Sequence, residues 1–157
     1  EQLCKIMIHL HSREPAILHR DLTPDNIISG EDGQLRLIDF GAAREFLEGV
    51  TGTMIGKQCY VSPEQLRGDA SPRSDVYSFG CTLYFLLTGR DPLALSRSSP
   101  AKTMDCSAQL DQLIMDCTEL DEEKRLQSFP EILERIKAMD RGLKLKLKSC
   151  LEPVNAA

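Results

Sequence analysis

Positive charge is scarce in this chain: 19 Lys and Arg stand against 24 Asp and Glu, leaving a net charge of -5. No dense Lys/Arg block offsets that balance locally, so nothing gives the protein an electrostatic hold on nucleic acid or another polyanion. Paired cysteine motifs are missing as well. Cys4, Cys59, Cys81, Cys106, Cys117 and Cys150 show neither a C-x-x-C pair nor metal-ligand spacing, which fits free thiols in a reducing compartment rather than a disulfide framework. Long hydrophobic runs are also absent. The most apolar stretch, Val76 to Leu87, is too short to span a bilayer and carries Ser78, Gly80 and Thr82, so a buried helix is expected there and no membrane segment. No charged n-region, apolar h-region or small-residue cleavage site addresses the chain for export, and a cytoplasmic location is the expectation. There is no internal repeat.

What is present suffices for one core, since 157 residues with 41% hydrophobic content suit a single domain. Leu3, Ile6, Met7 and Leu10 fall on one face of an opening helix already under way at Glu1, so further chain is expected ahead of it. After a break at Pro15, short apolar pieces at Ile17-Leu18, Ile27-Ile28 and Leu35 to Ile38 read as strands. The last two are joined by the turn Gly30-Glu31-Asp32-Gly33 as a hairpin. Periodicity fades from Asp39 to Pro63, a connection long enough to suggest function. A strong core helix is expected from about Arg73 to Thr88, entered through Ser71-Pro72 and closed by Gly89. Arg90 to Ser107 reads as loop, and Ala108 to Cys117 and Pro130 to Met139 as amphipathic helices. The alternation from Leu143 to Lys148 fits an edge strand or a linker into a further domain. The fold class is α+β and mainly helical.

The chemistry concentrates early. His19-Arg20-Asp21-Leu22-Thr23-Pro24-Asp25-Asn26 has the form H-R-D-L-x-x-x-N, and Asp39-Phe40-Gly41 follows thirteen residues after Asn26. Ser62-Pro63-Glu64 and Asp75-Val76-Tyr77-Ser78-Phe79-Gly80 come next in order. Together these resemble the catalytic loop, the D-F-G motif, the A-P-E motif and the D-x-W-S-x-G helix start of protein kinases, here of the bacterial Ser/Thr type. Each short motif alone is weak, but their order and spacing are specific. The resemblance runs from Glu1 to about Met139. It implies that residues 1–139 form a kinase C-terminal lobe whose short β-hairpin carries the catalytic and metal-binding loops, with 140–157 as tail or linker.

Phosphoryl transfer needs a carboxylate to take the hydroxyl proton and oxygen ligands to hold Mg²⁺ against the phosphates of ATP. The resemblance assigns Asp21 as base and Asn26 and Asp39 as the metal and cofactor ligands. It makes His19, Phe40, Glu64, Asp75 and Arg125 structural, with Glu64 and Arg125 as a buried ion pair and Asp75 bonding the loop backbone from below. Arg20 and Arg44 form a pocket for a phosphorylated Thr51 or Thr53, guanidinium groups matching phosphate oxygens. Two positions depart from the family. Thr23 stands where Ser/Thr kinases carry a Lys, and Lys57 stands where they carry the Thr of a Gly-Thr pair. If the two face each other, Lys57 delivers the missing charge from the opposite side.

No G-x-G-x-x-G loop and no strand Lys with a helical Glu partner occur in these residues. A kinase needs both to cover adenine and clamp the phosphates. The expectation is therefore a partial kinase domain, inert by itself and completed by an N-lobe of the same polypeptide. The whole protein would transfer the ATP γ-phosphate to Ser/Thr hydroxyls of protein substrates. A pseudokinase acting as a binding or scaffolding module is the rival, drawing on Thr23 and Lys57.

Overall fold

The computed structural model describes residues 1–39 and 58–151, the side chains of 143–151 excepted. Among the described residues five α-helices and one hairpin follow in order: α1 (Gln2–His11), β1 (Ile27–Ser29), β2 (Leu35–Leu37), α2 (Pro63–Leu66), α3 (Pro72–Thr88), α4 (Ala108–Cys117) and α5 (Phe129–Leu151). The strands are antiparallel, with Ile27 opposite Leu37 and Ser29 opposite Leu35. Gly33, at φ 71°, supplies the left-handed residue that closes the turn. Both ends of the Gln2 amide fasten this hairpin to α1: Nε2 donates to the Gly33 carbonyl at 3.0 Å and Oε1 accepts the Leu35 N–H at 2.8 Å.

Local chemistry sets the helix ends. Ser71 Oγ accepts the Arg73 N–H at 3.1 Å, and Ser71 N–H donates to Ser74 Oγ at 3.1 Å, so two orphan donors at the start of α3 are satisfied. Pro72 occupies the first helical position, where its missing N–H costs nothing. Gly89 ends the helix at φ 66°, its N–H returning to the Phe85 carbonyl at 2.8 Å. Ser107 caps α4 in the same manner, accepting from Leu110 N–H.

The core lies where α1, α3, α4 and α5 meet. Leu3, Cys4 and Met7 pack with Leu22, Val76, Phe79, Leu113, Ile132 and Phe129, and Phe79 meets Phe129 edge to face at 5.4 Å. Backbone contact between α3 and α4 is so close at Gly80 that an added Cβ would lie 2.6 Å from Cys117 Cβ and 2.8 Å from Thr118 Cγ2. Of the cysteines, Cys4, Cys59, Cys81, Cys106 and Cys117 are all free thiols. Burial pushes the Cys4 and Cys59 thiols up to about 11, so both stay protonated at neutral pH. No helix among the described residues is long and apolar enough to cross a membrane.

Three expectations need correction. Ile17-Leu18 is not a strand; among the described residues the only ladder is β1–β2. Leu143 to Lys148 is not an edge strand, because α5 continues through it to Leu151. Leu and Lys are both strong helix formers, and with only Gly142 to interrupt, a helix already nucleated on the core propagates through a pattern that alternates by chance. The connection to Pro63 ends in the short helix α2, which periodicity does not reveal in four residues.

Candidate active site

Buried polar residues on α3 form a ledge under the His19–Asn26 segment. Ser74, Ser78 and Thr82 recur every fourth position, one helical turn apart on one face, and all are at most 1% exposed. Each serves a different partner: Ser74 Oγ donates to Glu64 Oε1 at 2.8 Å, Ser78 Oγ to the Tyr60 carbonyl at 2.7 Å, and Thr82 Oγ1 to the Leu22 carbonyl at 2.7 Å. Asp75, fully buried beside them, accepts the N–H of His19 (2.9 Å) on Oδ2 and that of Arg20 (2.8 Å) on Oδ1. His11 of α1 approaches the same carboxylate, with Nε2 2.9 Å from Oδ2, and its ring stands edge-on to Phe129.

The segment is also tied within itself. Asn26 Nδ2 donates to both the Asp21 carbonyl and Asp21 Oδ2, each at 2.8 Å. Those two bonds fix the rotation of the Asp21 carboxylate and leave Oδ1 as the acceptor end of the Asn26 amide. The Thr23 N–H returns to the Asp21 carbonyl at 2.9 Å. Thr23 Oγ1 itself is buried and has no hydrogen-bond partner among the described residues.

Asp39 is joined to this loop through its neighbour. The Ile38 N–H donates to the Asn26 carbonyl at 3.0 Å, and the Ile38 carbonyl lies 3.0 Å from His19 Nε2. The Asp21 N–H points at His19 Nδ1 at 3.3 Å, which makes Nδ1 the acceptor and Nε2 the donor of that ring. His19, 1% exposed, therefore bridges the loop that bears Asp21 to the strand end that bears Asp39. Asp39 is exposed and sits at φ 64°, a left-handed conformation that Asp tolerates better than most residues.

Farther down, Arg125 meets Glu64 through Nη1 at 2.6 Å and Nη2 at 3.1 Å. The remaining guanidinium donors reach the Arg73 and Glu119 carbonyls, and the Tyr77 ring lies 5.2 Å below. Burial tends to raise the Glu64 pKa, but hydrogen bonds from Arg125, Ser62 and Ser74 outweigh it and bring the carboxyl down to about 2.

The structure thus gathers Arg20, Asp21, Asn26, Asp39, His19 and Asp75 into one bonded assembly, and Glu64 and Arg125 into a second one beneath it. Arg20 has an exposed side chain. Phe40, Arg44, Thr51, Thr53 and Lys57 lie outside the described residues. Reading motifs overlooked His11, Gln65, Ser74 and Thr82, and took Ser78 only as part of its motif. The signal for Ser74 and Thr82 was polar residues recurring with Ser78 at helical spacing inside an otherwise apolar helix, that for Gln65 was Ser62-x-x-Gln65 in capping-box form, and His11 had none.

An oxygen-lined position suits a hard divalent cation, and Asn26 Oδ1, left as the acceptor end of its held amide, together with the Asp39 carboxylate is compatible with one. Among the described residues no cluster of three or more His, Cys, Asp or Glu is placed to hold a metal ion.

Comparison with known proteins gives this assembly a family. Residues 1–149 match the protein kinase domain. Over 80 residues, 48% of this chain, the sequence is 48% identical to the serine/threonine-protein kinase PknL of Mycobacterium tuberculosis, and that stretch is 20% of PknL. Over 141 residues and 77% of this chain it is 35% identical to PknB of the same species, covering 22% of that protein. PknB of Mycobacterium leprae is 44% identical over 86 residues, 52% of this chain and 14% of the relative. The chain spans about a fifth or less of the length of these relatives. With the match covering nearly all its residues, the chain belongs to the protein kinase domain family, and its likeness runs to bacterial serine/threonine kinases.

Proposed function

We propose that this chain is the C-terminal lobe of a serine/threonine kinase whose full-length form transfers the ATP γ-phosphate to Ser/Thr hydroxyls of protein substrates in the cytoplasm. The observation that carries the reading is the pair of hydrogen bonds from Asn26 Nδ2 to Asp21, which aims a carboxylate from the same loop that presents an amide oxygen for a cation. Asp21 takes the proton of the attacking hydroxyl as that oxygen bonds to the γ-phosphorus and the bond to the β-phosphate oxygen breaks, releasing ADP. Asn26 and Asp39 would hold Mg²⁺, which when bound would neutralise phosphate charge. The glycine-rich loop and strand Lys, neither of which occurs in these residues, belong to an N-lobe elsewhere in the polypeptide, and residues 1–139 alone are inert. Residues 140–157 serve as a tail or linker.

Turnover of Mg·ATP by the full-length protein with a Ser/Thr peptide tests this. Asp21→Asn is expected to abolish transfer, and full activity in that variant would remove Asp21 from its role. A second reading, a pseudokinase, is favoured by Thr23, a buried hydroxyl in the position of the usual Lys. It predicts that wild-type full-length protein binds ATP and transfers nothing.

A further inference from the structure

Ser62-Pro63-Glu64-Gln65 opens α2 with the S-x-x-Q spacing of a capping box, a motif in which the fourth side chain turns back to the first residue's N–H. Only half of it forms. Ser62 Oγ accepts the Gln65 N–H at 3.3 Å, but the Gln65 amide reaches away from its own helix, and Nε2 donates to the Arg20 carbonyl at 2.6 Å. Oε1 is left buried with no hydrogen-bond partner among the described residues. The orientation is forced, because a carbonyl must face a donor and only the NH₂ end of the amide has one.

The residue that receives this bond is itself constrained. Arg20 sits at φ 66°, a left-handed conformation that crowds Cβ in any residue but glycine. Its N–H goes to Asp75 Oδ1 at 2.8 Å and its carbonyl to Gln65. Side chains from two helices, α3 and α2, therefore hold both backbone polar groups of the one strained residue. The Arg20 carbonyl and the Asp21 N–H belong to a single rigid peptide plane, so a bond on the carbonyl fixes the plane from which the Asp21 side chain departs.

We infer that Gln65 is a positioning residue, pinning the Arg20–Asp21 peptide plane so that the carboxylate of Asp21 meets the acceptor hydroxyl. The inference rests on Asp21 as the base. It makes the aim of that base depend on the seating of α2.

The experiment uses full-length protein with Mg·ATP and a Ser/Thr peptide. Gln65→Glu keeps the length without a donor at neutral pH, Gln65→Met removes polarity, and Gln65→Lys supplies a donor of similar reach. Glu and Met variants should lose about tenfold or more in kcat with both KM values little changed, since misplacing a catalytic group acts on the transition state. Gln65→Lys should recover much of that loss. Amide hydrogen exchange at Asp21 and Leu22 should quicken in the Glu and Met variants and not in the Lys variant, a readout that needs no turnover. Wild-type kcat and exchange in the Glu and Met variants would overturn the inference, as would a rise in KM at constant kcat or equal losses in all three. Asp21→Asn run alongside separates the two ideas. If it keeps wild-type kcat, the base assignment fails; if it is dead while Gln65→Met and Gln65→Glu are normal, only the role of Gln65 fails.

Discussion

Glu64 and Arg125, 61 positions apart, form a two-bonded ion pair from which solvent is shut out, at 2% and 0% side-chain exposure. A buried pair of this kind is costly to halve. Arg125→Met should leave Glu64 buried without its cationic partner and the Glu119 carbonyl without its donor, and cost about 3–5 kcal/mol. In a chain of this size that lowers Tm by on the order of 10 °C. An unchanged melting midpoint would mean that the pair contributes nothing to the fold.

The same pair sets an acid limit. Because the folded Glu64 carboxyl titrates at about 2, below its ordinary 4.5, its contribution is complete above about 4.5 and is lost as pH falls from there to about 2. In Arg125→Met that acid dependence should flatten, because burial still raises the Glu64 pKa while the bond that lowers it most is gone and only those from Ser62, Ser74 and the backbone remain. Urea midpoints across pH 2 to 7, taken on both proteins, check the two slopes.

Gly80→Ala should destabilise by about 1–3 kcal/mol, the usual range for overpacking a filled core. The new methyl would press on Cys117 Cβ and Thr118 Cγ2, which sit on a helix that cannot retreat without unpacking Leu113 and Ile114. Pairing it with Thr118→Ser, which removes Cγ2 and keeps the hydroxyl that bonds Ser98 and Ile114, should restore part of the loss. A single variant as stable as wild type would show that α4 gives way freely.

Phosphorylation of Thr51 or Thr53, read by Arg20 and Arg44, is a prediction about regulation. Replacing both threonines with Ala in the full-length protein should depress activity severely, and Arg20→Ala should reproduce the loss. Only the side chain of Arg20 changes in that variant, while its backbone bonds to Asp75 and Gln65 persist. Normal turnover in the double Ala protein would show that activation takes another route.

Exchange of Thr23 and Lys57 is tested by a double-mutant cycle. Lys57→Met should lower kcat with little change in ATP affinity, as expected of a contact made mainly in the transition state. Thr23→Lys alone should also harm, by placing a second ammonium beside one base. The variant combining Thr23→Lys with Lys57→Thr should recover much of either loss, the coupling that residues in contact show. Strictly additive losses would mean that the two do not meet and would strengthen the pseudokinase reading.

From the sequence alone one can read the order of the motifs, from His19-Arg20-Asp21 to Arg125, and the ends of α3 and α4. Both are local. Ser71, Pro72, Gly89 and Ser107 act within a turn of their own positions, and motif spacing is a property of the chain, whatever its folding. Tertiary structure decided which groups those motifs serve. Asp75 holds two N–H groups more than fifty residues away, and Gln65 gives up a local cap for the Arg20 carbonyl. The alternation at Leu143 to Lys148 resolved into helix because a core-anchored helix ran into it. For Asp75 and Gln65 a local preference was worth less than a buried partner, since an unpaired polar group away from water costs more than the choice between two local geometries.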